Sequence, residues 1–368
     1  MRRLLIIFGT RPEAIKLAPV IRAALTKPGL ETVTCVTGQH RQMLDPILGW
    51  FGIKPDIDLN LMRPDQTLAE LTARAMTAVS QAIQDARPDI VVCQGDTTTA
   101  MTAALAAFYQ KIAVGHVEAG LRTSDRYNPF PEEINRRLIS VIATQHFAPT
   151  ETARQALLAE GTPAGQVYLT GNPVIDALQW TVKQPYQLDP DIPLGQDGEQ
   201  LILVTGHRRE SFGGGFESIC QALLEIARRN PQARLVYPVH LNPNVYGPVH
   251  RLLGGVERIH LIDPLPYPAF AHLMSRCCLA LTDSGGVQEE APSLGKPVLV
   301  MRSTTERPEA VEAGTARLVG TDPQVIIRET ERLLHDPDAY AAMANAVSPY
   351  GDGHAGQRIV DILAGDAP

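Results

Sequence analysis

Three acidic residues stand where short apolar runs give way to helical patterns. Asp96 follows DIVVCQG (89–95), Glu118 follows IAVGHV (112–117), and Glu132 opens the helix pattern of PFPEEINRRLIS (129–140). Each has an ordinary local explanation. An Asp or Thr caps a helix, and acidic residues in a first turn complement the helix dipole. Three carboxylates at the C-terminal rim of one sheet are nonetheless a set able to exchange protons with a bound molecule, as general acid–base chemistry requires.

Basic residues recur at equivalent places. In GTRPEAIKLAPV (9–20), Pro12 suits a first helical turn, which puts Arg11 at the end of the first strand and Lys16 in the second turn. Both can meet an anion there, or form a solvated surface pair. In VTGHRRESFGGGF (204–216), His207, Arg208 and Arg209 lie between a strand and a Gly-rich turn. That trio suits a diphosphate, although His207 also fits a structural cap. The most specific segment is LTDSGGVQEEAPSLGKPVLVMRSTTERPEA (281–310). A strand ends in Asp283, and Ser284-Gly285-Gly286 opens a helix whose backbone N–H groups can approach an anion. Glu290, one turn further, is placed to accept hydrogen bonds from ribose hydroxyls. The combination is expected to hold a nucleoside diphosphate. The loop after the first strand is not GxGxxG, so a nicotinamide dinucleotide is unsupported and no cofactor is expected.

These residues need two sheets to hold them. LLIIF (4–8), TVTCVT (32–37), 89–95 and 112–117 predict strands, with helices over 12–26, 41–51, 67–86 and 97–109. LILVTG (201–206), RLVYPV (234–239), RIHLI (258–262), LALTD (279–283) and PVLVM (297–301) repeat the alternation. Apolar strands each followed by a helix predict α/β architecture with parallel sheets covered on both faces. The chain of 368 residues is long enough for two such domains. The Pro- and Gly-rich segment 183–200 reads as a linker, and the expected division is 1–171 and 172–352. Ligands in such folds bind beyond the C-terminal strand ends, which makes the inter-domain cleft the expected site.

Composition excludes several classes. A net charge of −7 disfavours nucleic acid as a main partner. The five Cys form no CxxC and are expected as buried free thiols rather than a zinc site or disulfide framework. The apolar run after Met1-Arg2-Arg3 is too short for a signal peptide, and no stretch approaches the roughly 18 residues of a membrane span. A cytoplasmic location follows by default, with no membrane partner.

Taken together, GTRPEAIKLAPV, TGQHRQML, GDTTTAMTAALAAF, HVEAGLRT, PFPEEINRR, TGHRRESFG, YPVHLNPNV, TDSGGVQEEAPSLGKPVLVMR and TERPEA resemble, in order, the non-hydrolysing bacterial UDP-N-acetylglucosamine 2-epimerases. The resemblance implies a GT-B fold of two Rossmann-like domains, with a last helix over 353–366 crossing back to the first. It also implies a homodimer that interconverts UDP-GlcNAc and UDP-ManNAc. By that resemblance Asp96, Glu118 and Glu132 are the catalytic carboxylates, and His207 stands beside the departing diphosphate. Arg11 and Lys16 contact the diphosphate side, and Ser284, Gly285 and Gly286 hold the pyrophosphate. Glu290 holds the ribose, Arg307 adds positive charge, and Phe270 packs near uracil. Gln39, His40, Gln42, Arg208 and His240 line an activator site. Two positions depart from relatives, the first from some and the second from many. Leu265 replaces a Gln, leaving only its backbone for uracil, and Asp65 replaces an Arg before Gln66-Thr67-Leu68. A hydrolysing epimerase releasing ManNAc and UDP, and a GT-B glycosyltransferase, are the alternative readings.

Overall fold

The computed structural model describes residues 1–38, 41–63, 65–123, 125–194, 198–208 and 213–366. The chain divides into two compact units, Met1–Ala177 with the stretch from Tyr350 onward, and Leu178–Pro349.

Among the described residues, the first unit carries β1 (Arg2–Phe8), β2 (Leu30–Val36), β3 (Ile57–Asp58), β4 (Ile90–Gln94), β5 (Ala113–Val117), β6 (Gln145–Ala148) and β7 (Val167–Leu169) in one parallel sheet. Its order is β3-β2-β1-β4-β5-β6-β7. Leu4 to Phe8 and Ile90 to Gln94 are buried without alternation, as expected for strands covered on both faces. The covering helices include α1 (Arg11–Thr26), α2 (Arg41–Phe51), α3 (Leu68–Ala86), α4 (Thr98–Tyr109), α5 (Glu132–Ile142) and α6 (Glu151–Ala159). Helix α7 (Pro173–Lys183) runs from this unit into the second.

The second unit has β8 (Gln200–Thr205), β9 (Ala233–Pro238), β10 (Ile259–Ile262), β11 (Leu279–Thr282), β12 (Val298–Val300) and β13 (Ala316–Leu318), ordered β10-β9-β8-β11-β12-β13. Between and after these strands come α8 (Gly214–Arg229), α9 (Pro243–Leu253), α10 (Tyr267–Arg276), α11 (Gly285–Glu290), α12 (Pro308–Glu312), α13 (Pro323–His335) and α14 (Pro337–Ala344). In both sheets the order reverses beside the first strand, between β1 and β4 and between β8 and β11. Such switch points open a crevice at the carboxyl ends of the strands, where ligands of this architecture bind.

The last helix, α15 (Ala355–Ala364), belongs to the first unit and packs on α1. Gly356 makes that contact possible, because a Cβ there would lie 3.0 Å from the Pro19 backbone. Arg2 Nη1 then donates to the Leu363 carbonyl at 2.7 Å. The division between units falls inside α7, between Ala177 and Leu178, shortly after the expected 171/172 and ahead of the Pro-rich stretch. Within that stretch Leu188 and Ile192 are buried, and Tyr186 stacks on His272 of α10 at 5.3 Å. Residues 184–194 are therefore packed chain, not a free linker. Cys35, Cys93, Cys220 and Cys277 are buried free thiols and Cys278 is half-buried. No helix among the described residues is long and apolar enough to cross a membrane.

Candidate active site

In the first unit the groups of interest gather after β1, β4 and β5. Glu118 directly follows β5 in a left-handed conformation (φ 62°) and is 6% exposed. Its carboxylate accepts from Lys16 Nζ at 2.6 Å on both oxygens and from Asn172 Nδ2 at 3.1 Å. Gln94 Nε2 also donates to it. Lys16 thus reaches across from the second turn of α1, as its spacing from Pro12 requires. Of the two readings for Arg11 and Lys16, the solvated surface pair fits only Arg11, which is exposed on the first turn, while Lys16 pairs with Glu118.

Asp96 lies two residues beyond β4. It does not cap α4, because Thr97 takes that position and accepts from Ala100 N at 3.1 Å. The Asp96 carboxylate is left to pair with Arg136 Nη2 at 2.5 Å, and its carbonyl accepts from Asn135 Nδ2 at 2.9 Å. Burial raises its pKa from the ordinary Asp value. The Arg136 charge opposes that rise, and the nearby Glu118 charge adds to it. Arg136 sits on α5, where the next acidic residue after Glu132 proves structural. Glu133 is fully buried, pairs with Arg137 at 2.7 Å and accepts from Thr123 N at 3.1 Å. Glu132 is half-buried, and its Oε2 is sheltered without a hydrogen-bond partner among the described residues.

A further buried carboxylate joins these loops. Glu13 accepts from Gly9 N at 3.0 Å, Thr10 N at 2.7 Å and Thr97 Oγ1 at 2.7 Å. It therefore clamps the turn after β1 to the residue beside Asp96. Sequence reasoning passes over Glu13 because a Glu in a first helical turn reads as half of a capping box, which it also is.

In the second unit the groups gather after β8 and β11. Asp283 is 1% exposed, and its Oδ2 accepts from His207 N at 2.7 Å and Arg208 N at 2.8 Å. The His207 ring lies beside the other oxygen, Nδ1 to Oδ1 3.3 Å, and stacks on the exposed His240 ring at 5.5 Å. Burial lowers the His207 pKa against the raising effect of Asp283, with His240 and Arg208 lowering it further. Ser284 is the residue before α11, as the sequence implies. At Gly285 an added Cβ would find Arg307 Cζ at 3.9 Å and Arg208 Nη2 at 4.0 Å, so two guanidinium groups converge on this backbone. At Gly286 a Cβ would meet Glu290 Oε1 at 3.2 Å. Both arginines have acidic neighbours: Arg307 Nε donates to the buried Glu289, and Arg208 lies 3.6 Å from Glu306.

The outer positions are simpler. Phe270 is half-buried on α10, and Leu265 is half-buried just before that helix. Gln42 is exposed on α2, whereas Gln39 and His40 lie outside the described residues, as does Arg209. Arg208, grouped with them by resemblance, lies beside Gly285 and Arg307.

This geometry has known counterparts. The family described as UDP-N-acetylglucosamine 2-epimerase matches residues 22–364. The chain is 55% identical to a UDP-N-acetylglucosamine 2-epimerase of Salmonella typhimurium, over 98% of each chain. The crystal structure of UDP-GlcNAc 2-epimerase from Neisseria meningitidis bound to UDP-GlcNAc is 50% identical, covers 98% of this chain and 99% of that one, and superposes with a TM-score of 0.89. A glycosyltransferase from Streptomyces nogalater, 17% identical with a TM-score of 0.65 over 100% of this chain and 99% of that one, shares the fold.

Proposed function

The chain belongs to the UDP-N-acetylglucosamine 2-epimerase family, and on that premise we propose that it interconverts UDP-GlcNAc and UDP-ManNAc by eliminating UDP and adding it back. The observation that carries this reading is the pairing of two unlike carboxylates. Asp96 pairs with Arg136, its pKa raised by burial against that charge, and stands near a Glu118 that Lys16 holds as an ion pair. Neighbouring acids in different environments are the usual arrangement for proton donation on one side and abstraction on the other.

The chemistry follows from the substrate. C2 of the sugar is not adjacent to a carbonyl, so its proton is very weakly acidic. Breaking C1–O first changes that, because C2 then lies beside an oxocarbenium-like C1. A carboxylate removes the C2 proton and leaves 2-acetamidoglucal with UDP still bound. A proton returns to the opposite face, and UDP adds again at C1. Two faces need two acid–base groups, which Asp96, Glu118 and Glu132 supply. The departing diphosphate meets the backbone of Ser284, Gly285 and Gly286, with Arg208, Arg307 and His207 beside it. Glu290 takes the ribose, Phe270 the uracil side, and Leu265 offers only backbone.

The reading includes a cytoplasmic location and a homodimer. Exposed Phe108 and Tyr109 on α4, with Leu138 and Val141 on the adjoining α5, are an apolar face suited to a second copy. It also includes activation by UDP-GlcNAc through Gln39, His40, Gln42, Arg208 and His240. A lag in the reaction started from UDP-ManNAc alone, abolished by a trace of UDP-GlcNAc, is the expected sign.

Substitution of the carboxylates tests the assignment. Asp96→Asn, Glu118→Gln and Glu132→Gln should each cut turnover at least about a hundredfold while UDP binding changes little. Near-normal turnover in all three would remove the basis for it.

A further inference from the structure

Asp283 has one oxygen fully used and one that is not. Oδ2 accepts the His207 and Arg208 backbone N–H groups, which closes the turn after β8. That alone would make Asp283 a structural residue. Oδ1, however, is buried with no hydrogen-bond partner among the described residues, and His207 Nδ1 lies 3.3 Å from it. A buried carboxylate oxygen without a donor is costly, and catalytic hydrogen bonds commonly align only when ligand is bound.

We infer that Asp283 is the positioning residue of His207, holding one proton on Nδ1 so that the second proton of the imidazolium, on Nε2, faces the leaving diphosphate. The inference rests on the reading above that His207 attends that group. The charged neighbours of the ring are consistent with it. His240 is the stacked partner, and its Nδ1 accepts from Asn242 N at 3.1 Å, which places any single proton of that ring on Nε2. Arg208, continuous with His207, faces Glu306 at 3.6 Å. Asp283 is therefore the acid that faces His207 Nδ1. It favours the imidazolium that a diphosphate can accept a hydrogen bond from, against the opposing effects of burial, His240 and Arg208.

Asp283→Asn separates the two roles. The amide oxygen can keep both backbone N–H groups, but the amide N–H2 then faces Nδ1, so the ring carries a single proton on Nε2 and the imidazolium is lost. Turnover should fall at least about a hundredfold, with KM and UDP affinity within about threefold of the parent. In a His207→Asn background the same substitution should add less than about threefold, because the residue acts through His207. Nitrogen-15 NMR of histidine-labelled parent protein, with the His207 signals assigned by their loss in His207→Asn, should report Nδ1–H. That measurement needs no folded Asp283 variant. Finding Nε2–H with a bare Nδ1 would overturn the inference, as would an undiminished Asp283→Asn effect without His207. A His207→Asn enzyme with normal turnover would instead remove the catalytic role of His207, leaving the tautomer measurement to decide the role of Asp283.

Discussion

Lys16 Nζ lies 2.6 Å from both carboxylate oxygens of Glu118, so the second turn of α1 is tied to the residue that follows β5. The pair is largely enclosed, with the Glu118 side chain 4% exposed. Removing one partner of such a pair leaves the other charge buried and uncompensated. Lys16→Gln should therefore lower stability by about 2–3 kcal/mol in urea unfolding, below the fully buried range because Lys16 retains some solvent. Turnover should fall at least about tenfold. A variant as stable and as active as the parent would show that the contact is incidental.

Gly285 offers a cleaner probe of the proposed diphosphate site. An added methyl would sit at ordinary contact distance from Arg307 and Arg208, so Gly285→Ala should fold with stability within about 1 kcal/mol of the parent. The methyl would occupy space that a pyrophosphate needs beside the backbone. UDP affinity by calorimetry should weaken at least about tenfold, roughly 1.4 kcal/mol. Unchanged affinity would move the diphosphate away from Gly285.

Much of the fold was legible in the sequence because the informative residues follow strands that are mostly apolar and buried. β1, β4, β5, β8 and β11 announce themselves, and the turns after them carry Arg11, Asp96, Glu118, His207 and Ser284. The strands β3, β6, β7 and β13 span two to four residues, and His146 or Arg317 interrupts the apolar run, so periodicity has nothing to register. Partners distant in sequence were equally hidden. Nothing local links Asn172 to Glu118, Glu13 to Thr97 or Asp283 to His207, and these contacts exist only once the sheets bring strand ends together. The unit boundary inside α7 also defeats composition, because a helix crossing between units looks like any other helix.

Gly9 tests that packing. A Cβ there would lie 2.1 Å from Thr37 Oγ1 and 2.6 Å from Thr99 Oγ1, which are themselves hydrogen-bonded at 2.9 Å. Gly9→Ala should cost about 2 kcal/mol or more, since the core cannot yield without breaking that bond. A neutral effect in thermal unfolding would mean that the turn after β1 is looser than described.

Arg136 should set part of the pH dependence. Burial raises the Asp96 pKa and the Arg136 charge opposes the rise. Arg136→Met removes that charge and the hydrogen bond it carries, so the Asp96 pKa should climb further. If Asp96 acts as a carboxylate, the acid limb of kcat/KM moves to higher pH. A limb that stays in place or moves the other way would assign it to a different group.

The account turns on the fate of one proton and one bond. Incubating the protein with UDP-GlcNAc as the only sugar in heavy water, and following the products by proton NMR, observes both. Elimination and re-addition predict UDP-ManNAc in equilibrium with UDP-GlcNAc, both carrying deuterium at C2, with added NAD making no difference. Retention of the original hydrogen at C2, or accumulation of free ManNAc and UDP in place of UDP-ManNAc, would contradict it.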